Sequence, residues 1–531
     1  MDFANTSTVP AYLWDKDPDL DDALHNPDPV RDAKLDRSFT FFSSRGWLNV
    51  SALVILVAGL VTLFAGYPII DYYARADPDN GGYNLGGING SGQVPDLPGL
   101  PSLIDSDTPQ SAYTRTGFDG KKYNLVFSDE FELDGRTFYP GEDPYWEAMD
   151  FHYWPTGDLE WYDPSAATTK DGKLVLTMTM EDTHDLNWKS AMLQGWNKLC
   201  FTTGYVEVSV SFPGAHDTAG FWPGVWTMGN LGRAGYGAST QGMWPYSYDT
   251  CDVGTFPNQM TADNEPANAA NGNSNGDGPV SELPGQRTSA CTCPGGDHPG
   301  PKNSVGRAAP EIDILEHQIE TQQWQGQVSQ SFQVAPFDYQ YKINNNSDTY
   351  TFYDDSITEF NSYRGSSLQQ AVSALTFVDK NDYGGQQYGV FGVEYWSDPN
   401  DRSAGYIEWV TDGKPSWRVN ADAIGPNDEV EIGQRIIPEE PMYMVLNFGM
   451  AYNFQPQDYS KLTWPNNMYI DYVRIYQREG LKKKDYLSCD PEAHPTKDYI
   501  ESHIKAYSDP NVTTWDAAGF TFPRNRLYDG C

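Results

Sequence analysis

Between about Ala112 and Glu479, apolar and polar residues alternate in short runs separated by Gly, Pro, Asn and Asp. A period of two predicts strands. Leu174-Val175-Leu176-Thr177-Met178-Thr179-Met180 is such a run, as are Tyr205-Val206-Glu207-Val208-Ser209-Val210 and Met442-Tyr443-Met444-Val445-Leu446-Asn447-Phe448. Asp412-Gly413, after Tyr406-Ile407-Glu408-Trp409-Val410, marks a tight hairpin. Many strand patterns and few helical ones predict an all-β sandwich over residues 113–480. The stretch Asn258 to Arg307 interrupts the alternation. Rich in Asn, Gly and Pro, it reads as a long loop that ends at a strand beginning with Glu311.

The N-terminal pattern is different. From Gly46 to Ile70 no residue is charged, a length that spans a bilayer as one transmembrane helix. Arg31, Lys34, Arg37 and Arg45 precede it and only Arg75 follows closely, so the positive-inside rule places the N-terminus in the cytosol. Ala74-Arg75-Ala76 loosely imitates a signal-peptide cleavage site, but the long leader and apolar run fit an uncleaved signal anchor better. Residues 1–45 read as a disordered cytosolic tail, 46–70 as the anchor and 71–112 as a Gly/Pro-rich stalk. The rest, including a C-terminal extension over 481–531, then faces the secretory lumen or the cell exterior. Sequons at Asn89, Asn345 and Asn511 fall on that side.

Charge and cysteines narrow the function further. With 35 basic against 73 acidic residues, the net charge of −38 opposes a grip on a phosphate backbone, so nucleic acid is excluded as a partner. All six cysteines follow the anchor, and an even number in an oxidising lumen reads as disulfides. Cys489 with Cys531 is the expected bridge inside the C-terminal extension, and Cys251 with Cys291 or Cys293 would pin the long loop. The Cys-x-Cys spacing at Cys291 is too narrow, and too poor in further ligands, for a zinc site. No metal and no cofactor are expected.

The chemistry is concentrated in Glu311-Ile312-Asp313-Ile314-Leu315-Glu316. In a regular strand Glu311 and Asp313 share a face and Glu316 is out of phase. A one-residue bulge near Ile314 or Leu315 would bring all three acids to one surface. Side chains leaning inward would then leave about 5 Å between the carboxyls of Glu311 and Glu316, the spacing of retaining glycoside hydrolysis. Glu311 is the expected nucleophile and Glu316 the acid/base. Asp313 between them would help keep the acid protonated. A solvated acidic strand edge is the alternative for the hexapeptide taken by itself.

The surrounding blocks argue against that alternative. Leu125-Val126-Phe127-Ser128-Asp129-Glu130-Phe131, the strand after Phe201, Gly220-Phe221-Trp222-Pro223-Gly224-Val225-Trp226, the acidic hexapeptide and Tyr469-Ile470-Asp471-Tyr472-Val473-Arg474-Ile475-Tyr476 together resemble glycoside hydrolase family 16. Gln194-Gly195-Trp196-Asn197-Lys198-Leu199-Cys200-Phe201, Tyr248-Asp249-Thr250-Cys251-Asp252 and Gln286-Arg287-Thr288-Ser289-Ala290-Cys291-Thr292-Cys293 resemble one branch of that family, the fungal membrane proteins associated with β-1,6-glucan synthesis. The resemblance runs from about Leu125 to the C-terminus. It implies a concanavalin A-like jelly roll of two antiparallel sheets with a β-glucan across the concave one. Trp222 and Trp226 would offer rings to the sugars, and no cofactor is needed. Soluble β-1,3-glucanases of the wider family carry a histidine on the strand after the acids, whereas Val328-Ser329-Gln330-Ser331-Phe332 has none. The expectation is therefore a membrane-anchored retaining glycosidase or transglycosylase of fungal β-1,6-glucan biosynthesis. A glucan-binding or chaperone-like assembly factor and a plain β-1,3-glucan hydrolase are the alternatives.

Overall fold

The computed structural model describes residues 29–36, 44–67 and 102–531. The sequon at Asn89, residues 71–101 of the expected stalk and most of the expected tail lie outside these residues. The chain divides into two compact units, residues 1–79 and 80–531. In the first, a helix at Pro29–Asp36 is followed by one at Ser44–Val61 that continues through a π-helical turn at Thr62–Gly66. Among the described residues one helix, Trp47–Gly66, is long and apolar enough to cross a bilayer. It exposes Leu53, Ile55, Leu56 and Phe64, side chains that water would not solvate favourably.

The second unit is a β-sandwich. A nine-stranded sheet runs in the order 358–360, 369–377, 325–334, 311–320, 222–229, 442–449, 192–194, 147–148, with 365–366 also paired to 369–377, all its pairs antiparallel. A thirteen-stranded sheet faces it, centred on Asn466–Arg478 between Gly204–Ser211 and the strands Lys122–Asp129 and Leu174–Thr183. One small pairing, 160–162 with 186–190, is parallel. The alternation does what the sequence pattern requires. Ile312, Ile314, Val328 and Phe332 of the first sheet meet Val206, Val208, Phe391, Ile407 and Trp409 of the second in one buried core. The hairpin at Asp412-Gly413 joins strands Tyr406–Thr411 and Lys414–Asn420, with both turn residues at positive φ (51° and 74°), as a two-residue turn of matching twist needs.

Two expectations are corrected. Residues 102–112 are not a free stalk. The amide of Ser128 donates to the Leu103 carbonyl at 2.9 Å, and the Asp105 carboxylate accepts from the amide of Glu130 at 3.1 Å, which docks this segment on the first long strand. The loop after Asn258 is long, as expected, and it is packed. Its Val280 and Leu283 pack with Phe256, Phe337, Tyr341 and Ile432 in a cluster of their own. Finally, Cys489 does not pair with Cys531. The bridges are Cys200–Cys489, Cys251–Cys291 and Cys293–Cys531. The reason is packing. The extension buries Tyr499, Ile500, Tyr507 and Trp515 against the sandwich, which sets Cys489 beside Cys200 and returns the chain end to the loop at Cys293. There the amide of Cys293 donates to the Arg524 carbonyl at 2.9 Å, and that of Arg526 to the Cys291 carbonyl at 2.8 Å.

Candidate active site

The acidic strand Glu311–Glu320 lies in the middle of the nine-stranded sheet and is bulged where the three acids demand it. Opposite Gln325–Val334 the register jumps from Asp313 facing Ser331 to Glu316 facing Ser329, so Ile314 and Leu315 together oppose Gln330 alone. Opposite Trp222–Gly229 the jump falls at the same place. Ile312, Ile314 and Leu315 are all fully buried in the core, and Glu311, Asp313 and Glu316 are left on the other surface. Two hydrogen bonds from the core side hold the extra carbonyls. The indole N–H of Trp409 donates to the Asp313 carbonyl at 2.8 Å and the Gln330 side chain donates to that of Ile314 at 3.3 Å.

Each acid has its own partner. Trp244, from the loop that covers the Glu311 end of the sheet, donates its indole N–H to the Glu311 carboxylate. Gln333 donates to Asp313 at 2.8 Å, and Trp222 donates to Glu316 at 3.2 Å. Glu316 also takes a hydrogen bond from Ser329. Glu311 and Glu316 are partly accessible and Asp313 is buried. Burial is the largest influence on all three and raises them. Glu311 goes up to about 8, held back by the Trp244 hydrogen bond and raised by the charge of Glu316. Glu316 is pushed well above the carboxylate range by burial and then by the charge of Asp313. Asp313 is pushed up likewise, by burial and then by Glu311, with which it shares a hydrogen bond. In that bond a protonated Asp313 donates and Glu311 accepts. Of the three, Glu311 is thus the readiest to ionise, and Glu316 retains its proton to higher pH.

The two tryptophans expected as sugar platforms part company. Trp222 is partly accessible, and its ring stacks on Phe454 with centroids 4.2 Å apart. Trp226 is only 8% exposed. It packs in a second apolar cluster with Met228, Tyr443, Tyr499 and Trp515, and its N–H is spent on Asn447 at 2.9 Å, so it has no open face for a sugar. Tyr499, Tyr507 and Trp515 of the extension belong to the same buried cluster on this flank of the sheet. The other flank is floored by small polar groups. Ser331 donates to Ser373 at 2.8 Å, and Ser329 lies 3.2 Å from Ser373.

Sequence reasoning missed Trp244, Gln333, Ser329 and Tyr153. Burial, and then the charges of Glu311 and Asp158, raise the Tyr153 hydroxyl well above its ordinary value. It also missed Asp158 and Glu160, a buried carboxyl pair. Burial raises Asp158 to about 6, and burial and the charge of Asp158 raise Glu160 well above its ordinary value. Asp158 is linked through Tyr162 (2.9 Å) and Asn447 (3.1 Å) to the Trp226 indole. None of these residues lies at a fixed spacing from the hexapeptide, so no local pattern announces them. Asn345 and Asn511 are both exposed on the second unit.

A two-sheet antiparallel sandwich with a bulged strand that sets three carboxyls on one face is the class of fold and site. The chain matches, over residues 11–531, the family model described as beta-glucan synthesis-associated protein SKN1/KRE6/Sbg1, and it belongs to that family. It is 42% identical over 536 residues to beta-glucan synthesis-associated protein KRE6 of Saccharomyces cerevisiae, covering 99% of this chain and 70% of that one. Similarity to beta-glucan synthesis-associated protein SKN1 of Candida albicans is 40% over 535 residues, covering 99% and 68%. Among solved structures, the catalytic domain of an endo-1,3-beta-glucanase (laminarinase) from Thermotoga petrophila is 17% identical with a TM-score of 0.39, over 68% of this chain and 100% of that one.

Proposed function

We propose that this site cuts and re-forms β-glucosidic bonds with retention of configuration, on a β-glucan, in the assembly of β-1,6-glucan. The supporting observation is the set of three carboxyls on one face, with Glu311 ionised most readily and Glu316 holding a proton. A Glu311 oxygen attacks the anomeric carbon as the bond to the leaving oxygen breaks, and Glu316 gives that oxygen its proton. Glu316, now a carboxylate, takes the proton from the acceptor hydroxyl. That oxygen attacks the same carbon and Glu311 is released. Membership in a family named for β-glucan synthesis favours a sugar over water as acceptor. The helix Trp47–Gly66, the one such helix among the described residues, serves as the membrane anchor, with the N-terminus cytosolic and the sandwich lumenal or extracellular.

One observation favours a glucan-binding assembly factor instead. Burial raises all three carboxyls, and protonated acids can serve as hydrogen-bond donors to sugar hydroxyls. Incubation of the purified protein with β-1,3- and β-1,6-gluco-oligosaccharides, with products read by mass, separates the readings. Glu311→Ala should abolish turnover. Glu316→Ala should still react slowly with an activated donor and be rescued by azide. Full activity in both folded variants would leave the binding factor.

A further inference from the structure

On the far side of the sandwich from the acids, the thirteen-stranded sheet carries a groove of about 470 Å³. Its floor follows from strand alternation. Leu174, Leu176, Met468 and Ile470 are fully buried in the core, so Val175, Thr177, Asn467 and Tyr469 face outward, with Val175 paired to Tyr469 and Thr177 to Asn467. The opposite wall is the segment Gly384 to Tyr388. It is anchored by the Gly384 amide to the Phe212 carbonyl at 3.0 Å and the Gly385 amide to the Ser211 hydroxyl at 2.9 Å. Gly385 has φ 75°, and a Cβ there would lie 3.1 Å from the Tyr469 ring. Only glycine leaves that ring uncovered and the turn unstrained.

The polar groups are set in advance. The Thr177 hydroxyl donates to the Asn467 carbonyl oxygen at 2.9 Å, and the Asn467 amide donates to the Tyr469 hydroxyl at 3.0 Å. That leaves one Asn467 hydrogen and the Tyr469 proton to give. The Tyr388 hydroxyl is buried and has no hydrogen-bond partner among the described residues. Lys173 at the rim lies 5.9 Å from the centre of the Tyr388 ring, with its ammonium donating to the Asp171 carbonyl at 2.7 Å. Two tyrosine rings with fixed hydroxyl and amide groups suit a neutral pyranose, which presents apolar C–H faces and equatorial hydroxyls. The volume is that of a small-molecule site, roughly 300–1,000 Å³.

We infer that this groove is a second, non-catalytic glucan-binding site, which holds a glucan chain while another part of the same chain, or a neighbouring one, is worked on at Glu311 and Glu316. The ligand class rests on the proposed function, and the groove itself does not. Two contacts on one polymer multiply, so the effect belongs to long chains and vanishes for short ones.

The test uses the full-length protein in detergent, with immobilised long β-1,6-glucan and with a short β-1,6-gluco-oligosaccharide. Tyr388→Ala removes a wall, and Thr177→Trp fills the floor without removing any groove residue's backbone contact. Both should lower retention on the long glucan about tenfold and leave turnover of the short oligosaccharide unchanged. Glu311→Gln should do the reverse, so loss of turnover without loss of retention keeps the two claims apart. If Glu311→Gln has no effect while the groove variants still lose long-chain retention, the inference stands and the catalytic reading falls. Unchanged retention in both groove variants, each with a native melt, overturns the inference. So does a loss of inorganic phosphate binding with glucan binding intact, which would make the lysine rim an anion site.

Discussion

Trp409, on the thirteen-stranded sheet, donates its indole N–H to the main-chain carbonyl of Asp313 on the other sheet, 2.8 Å away. The bond crosses the core at the residue where the acidic strand changes phase. Trp409 also stacks on Trp417 at 4.4 Å, which fixes the ring. Trp409→Phe keeps an aromatic ring but orphans a buried carbonyl, so a loss of about 1–3 kcal/mol is expected. Because that carbonyl precedes the bulge, turnover should fall in protein that is still folded. Thermal melts with kinetics check this, and an unchanged melt and unchanged kcat would show that the bulge holds itself.

Trp244 tunes Glu311. Its hydrogen bond lowers the Glu311 pKa from what burial alone would impose. Trp244→Phe removes that bond, so Glu311 should hold its proton to higher pH. The acid limb of a pH–rate profile should then move in the alkaline direction and the rate below neutrality should fall several-fold. A limb that moves toward acid, or stays, would separate Trp244 from the nucleophile.

The strands, the Asp412-Gly413 turn and the bulge were legible in the sequence because each depends on neighbours in the chain. The face of the acids follows from alternation once Ile312, Ile314 and Leu315 are counted into the core. What lay out of reach depends on contacts between distant segments. Trp244 reaches Glu311 across 67 positions of chain, and nothing local marks it. Trp226 occupies the right strand face for a sugar, but it is buried in a cluster that takes in residues some 270 positions later. Cys489 and Cys531 share an extension, yet that extension is apolar enough on one side to dock. Docking, not proximity in sequence, chose their partners.

Those pairings give a direct chemical expectation. Peptide mapping without reduction should recover Cys200 linked to Cys489 and Cys293 linked to Cys531. Cys489→Ser should cost about 2–5 kcal/mol. It should also raise the protease sensitivity of the extension, whose rings cover the flank beside the acids. A Cys489–Cys531 peptide would reverse the assignment.

The proposed topology rests on the basic residues before the apolar helix and can be checked at Asn345 and Asn511, both exposed. Endoglycosidase treatment should increase the mobility of the protein, and the combined Asn345→Gln and Asn511→Gln changes should reduce that shift. In sealed microsomes an N-terminal tag should be cut by added protease while the sandwich is protected. A shielded tag would invert the membrane orientation.

The last prediction concerns what the site costs the fold. The Glu311 carboxyl has an ordinary pKa of 4.5 and is raised to about 8 by burial. Between those values the folded state binds a proton that the unfolded state does not, so this group's contribution to stability falls as pH rises through the window. A glutamine keeps an acceptor for the Trp244 N–H and for Asp313, and it does not titrate. Glu311→Gln should therefore melt above the unmodified protein, and the gap should widen from about pH 5 to about pH 8, reaching about 2–4 °C. Melts of the two proteins across that range decide it. A gap that shrinks with pH would mean that the folded protein carries Glu311 ionised well below neutrality, stabilised by its surroundings rather than strained by them.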